Sequence, residues 1–410
     1  MKQHTKSICK RALALCMSVL MLMTAWVFVA PTKAFAADVW DGSWDGSGFS
    51  NNHITSAKGF AQFINNAGTG TSYSGQTVYL DVDIDLNNID FGNISGGKNV
   101  YYNKDNYFQG TFDGQSHTIY NFQMHNSDHR VALFRSARNA TFRNVNFENV
   151  FVDDNDNNNK KNGFAVMVGY GDGNLTFENV HISGGYIYGY NYVGGLVGEY
   201  GANDTLTLTN CSNGALIYAD HDRAGGMVGH SKGRVVANGC SNTGEIYAGY
   251  SDAGGIAGWI EDDESSFVNC SNTGKVSTDA CAGGIFGYFG SKSNDNKMTI
   301  TGCSNTGYIE SRAKVAGGIA GMIDTDAEHS MENNTNRGDV YGKVDAGGIV
   351  GSNIGAGIWR NNKNYGDISC TDDNAGGILG DVEDDVNKFY NCYNTGASGS
   401  PSPRESAAPA

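Results

Sequence analysis

Apolar residues in this chain alternate with polar ones over three to five positions, and Asn or Gly then breaks each run. A period of two belongs to strands; helices repeat at three and four. From about residue 165 the pattern itself recurs. Gly-Gly-apolar-x-Gly starts at Gly194, Gly225, Gly254, Gly283, Gly317, Gly347 and Gly376, in steps of 31, 29, 29, 34, 30 and 29 residues. Ala165–Gly169 is a degenerate copy. Val131–Phe134 is another, with Arg135 where the last Gly would fall. A second block keeps the same register. Cys240-Ser-Asn-Thr-Gly244, Cys270-Ser-Asn-Thr-Gly274 and Cys303-Ser-Asn-Thr-Gly307 are identical; Cys211 and Cys392 head close variants, and Asn334 and Asn362 replace the Cys elsewhere. Insertions between blocks vary in length while the blocks do not, as in stacked coils with loops on one side.

Aligning the copies gives three apolar ladders. Phe177, Leu208, Ala237, Phe267, Ile300, Met331, Trp359 and Phe389 stand three residues before the Cys position. Ile187, Ile217, Ile246, Val276, Ile309, Val340 and Ile368 follow the Asn-Thr-Gly turn, and Leu196, Met227, Ile256, Ile285, Ile319, Ile349 and Ile378 lie in the Gly-Gly block. Three ladders predict three short strands per coil. The fold expected is all-β: a right-handed parallel β-helix, or solenoid, of about 30-residue coils. Two Asn columns flank the Cys position. Asn tolerates left-handed backbone and its amide can bond turn backbone or a stacked amide, and the Gly after Asn-Thr is expected to supply a positive φ. Ahead of the repeats, Thr55 or Ser56 is placed to cap a short helix with Phe60, Phe63 and Ile64 on one face. Trp40 and Trp44 are candidates to pack over this N-terminal cap, and residues 78–86 read as one strand.

The Gly-Gly-apolar-x-Gly core, seen best in Gly194-Gly195-Leu196-Val197-Gly198, resembles the GLUG motif family of bacterial surface proteins, over about residues 130–396. Phe108–Gly114 with His117–Ile119 resembles the coil that often precedes such repeats. The resemblance implies an exported β-helix of the kind found on adhesins; similar repeats also accompany immunoglobulin A peptidases. It supports the fold more than any activity.

Composition sharpens the boundaries. Gly is abundant at 57 residues and Pro scarce at 4, with none between residues 37 and 396. Every strand in a coil stack donates to its neighbour, and Pro cannot donate. Residues 1–36 read as a signal peptide: Lys2, Lys6, Lys10 and Arg11, an apolar run from Ala12 to Ala30, and a small-x-small site cut after Ala36. An uncleaved anchor and a lipoprotein box at Cys16 are the alternatives. Residues 37–130 are then the N-terminal cap and first coils, 131–396 the GLUG-like repeats, and 397–410 a Pro/Ser/Ala-rich tail or linker. No C-terminal cap is evident in the sequence, so further chain or self-association is expected to cover the last coil. Secretion or display on the cell surface follows.

Without its five basic residues and with no acid lost, the chain after residue 36 carries 23 basic and 43 acidic side chains, a net −20. That argues against nucleic acid and anionic membranes as partners. A glycan or a host or surface protein remains as partner, with no membrane insertion after cleavage.

The candidate chemistry is sparse. Cys211, Cys240, Cys270 and Cys303 share a column whose side chains point one way, which suits a structural core ladder better than disulfides or metal. The states of Cys281, Cys370 and Cys392 stay open. Asp81, Asp83 and Asp85 share one face of the expected strand and could serve as acid and base or hold Ca²⁺; a wet strand face explains them equally. Asp153 to Asn159 has the composition of a Ca²⁺ loop but not its spacing, and the acidic loops 261–264 and 381–385 are candidates for weak Ca²⁺ binding. No other cofactor is expected. There is no HExxH, and Gly229-His230-Ser231-Lys232-Gly233 matches GxSxG outside the strand–turn–helix setting a nucleophile needs. The sharper candidate is aromatic. Tyr188, Tyr218 and Tyr247 are equivalent in consecutive coils, and Tyr341 recurs later. Each follows an inward Ile or Val, so the row is expected to face outward and stack on sugar rings or touch a protein. The leading expectation is therefore a non-catalytic binding or adhesion scaffold. A polysaccharide-active lyase or glycoside hydrolase on the same fold, or a stalk for a further C-terminal domain, are the alternatives.

Overall fold

The computed structural model describes residues 37–93, 106–126, 129–153, 161–201, 204–262, 264–291, 298–383 and 386–399. The expected signal peptide and nearly all of the Pro-rich tail lie outside these residues. The described residues are nearly all β, 57% strand and 4% helix, and from Asp38 onward they coil as a parallel β-solenoid of about 10 turns. Among the described residues no helix is long and apolar enough to cross a membrane.

The apolar ladders stack in the register their spacing predicts. Phe142, Phe177, Leu208, Ala237, Phe267, Ile300, Met331, Trp359 and Phe389 are successive partners in parallel strands. Ile187, Ile217, Ile246, Val276, Ile309, Val340 and Ile368 form a second such line. Nearly all are fully buried; only the last coil opens, with Phe389 48% exposed. A coil holds five strand segments rather than the three expected. One coil reads Arg234–Asn238, Ser241–Asn242, Ile246–Ala248, Ala253–Gly254 and Ala257–Ile260. The extra segments arise because the corners also hydrogen-bond from coil to coil.

The corner chemistry is polar and buried. Asn179, Asn210, Asn269, Asn333, Asn361 and Asn391 take φ between 51° and 57°, and Gly239 and Gly302 take the same role in the remaining coils. This is the left-handed turn that Asn accommodates best among residues with a side chain. Two residues past the Cys position, Asn213, Asn242, Asn272, Asn305, Asn336, Asn364 and Asn394 form one amide ladder. Each Nδ2 donates to the next Oδ1 at 2.8 Å. The expected positive φ at the following Gly is absent: Gly244, Gly274 and Gly307 are not among the positive-φ residues. Glycine is required there by proximity instead. A Cβ on Gly274 would sit 1.9 Å from the Gly244 carbonyl oxygen of the coil before. The second Gly of each pair is forced similarly, a Cβ on Gly255 falling 2.1 Å from Gly284 O.

The cap contains the expected helix, Ala57–Gly68, with Ser56 as N-cap accepting from the Gly59 amide at 3.1 Å. Phe60, Phe63 and Ile64 are buried, and the Phe63 ring stacks on Phe112 of an early coil at 5.7 Å. Trp40 is buried beside Phe91, and Trp44 packs against the core from its edge. The single strand expected over 78–86 is two, Thr77–Leu80 and Ile84–Asp85, because the chain turns a solenoid corner between them. These segments pair in parallel with Thr111–Asp113 and Thr118–Tyr120, so the cap is already part of the coil stack.

Candidate binding surface

The tyrosine row exists. Tyr188, Tyr218 and Tyr247 are in-register neighbours, with ring centroids 5.3 and 4.5 Å apart and planes within 23° and 19° of parallel. All three are half-buried rather than fully exposed, because each ring covers its neighbour. Burial, with Tyr247 adding to it, pushes the Tyr218 hydroxyl well above its usual range. Past Tyr247 the column continues as Ser277, Glu310, Tyr341 and Ser369, so Tyr341 belongs to the same line but stands three coils beyond Tyr247. Arg312 closes the gap. Its guanidinium lies 4.9 Å from the Tyr247 ring, donates to Tyr247 Oη at 3.2 Å, and is held by Asp279 at 2.7 Å. The row therefore turns ring edges outward and not ring faces.

A second stack runs beside the first. His221 lies between Tyr190 and Tyr250, at 5.1 and 4.9 Å, with planes within 15° of parallel. Tyr250 is 66% exposed, so this stack does offer an open ring.

Around the corner lies a third column. Arg130, Gly163, Tyr192 and Arg223 precede the register partners Val131, Phe164, Val193 and Ala224, and all four take positive φ. That conformation swings the side chain off the strand and over the following sheet. There the in-register line is Tyr170, Glu199, His230, Trp259 and Tyr288. Each corner residue covers the residue one coil on: Arg130 over Tyr170 at 3.8 Å, Tyr192 on His230 at 4.8 Å, Arg223 over Trp259 at 3.6 Å. Gly163 has no side chain, so its counterpart, the half-buried Glu199, has no corner residue over it.

The charges here are shaped by burial. Burial pushes the Glu199 carboxyl up, opposed by Arg130, Lys232 and Arg223. His230 is 1% exposed, and burial lowers its pKa. Its Nε2 lies 2.8 Å from Glu261 Oε1, and that bond holds Glu261 below the usual carboxylate range. A neutral imidazole bonded this way carries its proton on Nε2 and leaves Nδ1 as an acceptor. Nδ1 is buried without a partner, as are Arg223 Nε and Trp259 Nε1.

The remaining candidates have structural roles. Asp81 and Asp83 lie at the corner, not on one strand face: Asp81 bonds His53 and Gln115, Asp83 bonds His117 and the Thr118 amide, and Asp85 bonds Asn121. Ser231 is fully buried and donates to Gly233 O at 2.6 Å within the strand Val228–Ser231, so the GxSxG match makes no nucleophile elbow. Glu261 and Glu264 are engaged by His230 and Arg234. Residues 154–160 and 384–385 of the other acidic loops lie outside the described residues. Among the described residues no three His, Cys, Asp or Glu side chains converge as around a metal ion.

Cys211, Cys240, Cys270 and Cys303 are free and buried, as are Cys281 and Cys370; Cys392 is half-buried. The column has a polar task as well as an apolar one. Cys240, Cys270 and Cys303 each donate to a carbonyl of the coil before, Leu208, Ala237 and Phe267, at 3.4–3.6 Å. Asn334 and Asn362 stand in for Cys and make the same bond to Ile300 and Met331.

No family model matches this sequence, and no curated protein matches it. One solved structure is similar over 83% of this chain and 82% of its own, at 20% identity and a TM-score of 0.40: "a putative immunoglobulin A1 protease" from Bacteroides ovatus.

Arg130, Tyr192, Glu199, Arg223, His230 and Trp259 were not singled out from the sequence. The corner position holds Arg, Gly, Tyr and Arg in turn, so no repeated residue type marks it. The signal available was the offset: each stands immediately before the apolar residue that opens the Gly-Gly block.

Proposed function

We propose that this chain is an exported bacterial β-helix repeat protein of the GLUG type, secreted or held at the cell surface, acting as a non-catalytic binding scaffold for a glycan or a surface protein. The observation that carries this reading is the aromatic surface of the middle coils. Tyr188–Tyr218–Tyr247 and Tyr190–His221–Tyr250 stand side by side on a backbone hydrogen-bonded from coil to coil. Rigid aromatic edges with hydroxyls suit sugars and protein loops alike, since little side-chain entropy is lost on contact. The test is a glycan array and a panel of extracellular-matrix proteins probed with the purified protein, followed by a depolymerisation assay on each hit. Binding without cleavage, reduced by the joint change of Tyr188, Tyr218 and Tyr247 to Ser, is expected. Unchanged binding in that variant removes the tyrosine surface from the reading.

The enzymatic alternative has one observation in its favour. Glu199 and Glu261 are carboxyls whose environments push their pKa values apart, one up by burial and one down by His230. That is how a general acid and a general base are set up. Cleavage of a bound polysaccharide, lost in Glu199→Gln, would establish it.

A further inference from the structure

We infer that the corner column from Arg130 to Arg223 binds an acidic polysaccharide running along the solenoid axis, with carboxylate or sulfate groups on the two arginines and a sugar hydroxyl in the notch at Glu199. The inference rests on the glycan-binding reading above and names its ligand class and site.

Three observations carry it. The first is repetition. Arg130 and Arg223 occupy the same corner position three coils apart, each with positive φ, and each sits over an aromatic ring of the next coil. Parallel strands are spaced about 4.8 Å, so the two guanidinium platforms stand about 14 Å apart along the axis. A linear polymer can reach both; a single sugar cannot.

The second is what the arginines lack. In a chain with 43 acidic residues, Arg138, Arg143, Arg234, Arg312 and Arg360 each pair with a carboxylate. Arg130 and Arg223 make no such pair among the described residues. Each stacks on an aromatic ring, and Arg223 Nε has no hydrogen-bond partner. Arg223 Nε is buried, so an anion would be met by the two Nη groups, which can give a carboxylate or sulfate two hydrogen bonds. The exposed Lys232 adds a third cation near Glu199.

The third is the notch. Gly163 puts no side chain over the half-buried Glu199 between Arg130 and Tyr192. In the next coil, His230 is buried with Nδ1 unpartnered, and Trp259 Nε1 is an unpartnered donor beyond it. Both atoms lie sealed beneath Tyr192 and Arg223, so the groups the column turns to a ligand are the guanidiniums and the Glu199 carboxyl.

The corner conformation supplies a clean test. Glycine is the natural occupant of a positive φ, and Gly163 already holds the equivalent position. Arg130→Gly and Arg223→Gly therefore remove the guanidinium without opposing the backbone. The purified protein is titrated with a carboxylated polymer (polygalacturonate), a sulfated one (chondroitin sulfate) and a neutral one (xylan). Binding to at least one acidic polymer is expected. It should weaken with added salt, fall about tenfold in each single variant, and be abolished in the double variant. Arg337→Gly, whose guanidinium stacks on Tyr365, is the control and should bind as wild type. Acidic polymers that fail to bind, or that bind the double variant undiminished, overturn the inference. If only neutral glycans bind, through the tyrosines, the inference fails while the scaffold reading stands; if no glycan or protein binds, both fail.

Discussion

Asn272 Nδ2 donates at once to Asn305 Oδ1 in the next coil and to the Gly274 carbonyl in its own turn, both at 2.8 Å. Its Oδ1 accepts from Asn242, so one buried side chain closes its turn and ties three coils together. Asn272→Ala leaves the Gly274 carbonyl without its donor and an Asn242 Nδ2 hydrogen without its acceptor, while Asn305 Oδ1 keeps the Gly307 amide, and should cost on the order of 3 kcal/mol. Asn394→Ala, at the exposed end of the ladder, should cost under about 1 kcal/mol. Urea midpoints at unchanged m-value measure the difference.

Gly274→Ala should be more damaging than its conservative appearance suggests. The new methyl would lie 1.9 Å from the Gly244 oxygen, backbone that cannot yield without shifting a whole coil. A loss of about 3 kcal/mol or more, or failure to fold, is expected. Gly75→Ala meets no atom within 4 Å and suffers only from its positive φ of 69°, so about 1 kcal/mol is expected. Thermal melts of the two purified variants decide it.

The thiols should be silent in the folded protein. Burial pushes Cys281 and Cys370 upward in pKa, and the column cysteines are sealed in the core. Thiolate is the reactive form, so alkylation of the native protein should label Cys392 first. The other described cysteines should react only in denaturant, and peptide mass spectrometry reads the order directly.

These outcomes bear on how much of the molecule was legible in its sequence. The Asn and apolar columns were, because the same residue type returns at a fixed step and a stacked coil turns that step into contact. The Gly after Asn-Thr was found but explained wrongly. Its need comes from the Gly244 oxygen one coil away, and single-coil reasoning sees only dihedral freedom. The tyrosine row was placed correctly in register, yet its faces cover one another, a consequence of the strand spacing that outward pointing alone does not reveal. The Arg130–Arg223 column escaped because its members share a backbone conformation and not a residue type.

Acid should weaken the protein through His329. Both ring nitrogens are buried without a partner, and burial lowers its pKa from 6.5 to about 4. The native ring stays neutral while the unfolded chain takes up a proton as pH falls through 6.5. This contribution to stability is therefore complete above pH 6.5, is lost between 6.5 and about 4, and is constant below. The total from this group is about 3 kcal/mol. Urea titrations at pH 7 and 4.5 should show His329→Leu losing less stability on acidification than wild type.

The amide ladder makes each coil the template on which the next is laid, and no bond in it skips a coil. The number of coils is then a free variable of the architecture. A unit cut from Gly225 through Ala253 would bring Ala224 directly against Gly254, restoring the same Ala-Gly-Gly junction. Duplication or loss of whole units in the gene would lengthen or shorten the protein without disturbing its joints. Only the few coils that carry the unlike corner residues would be irreplaceable.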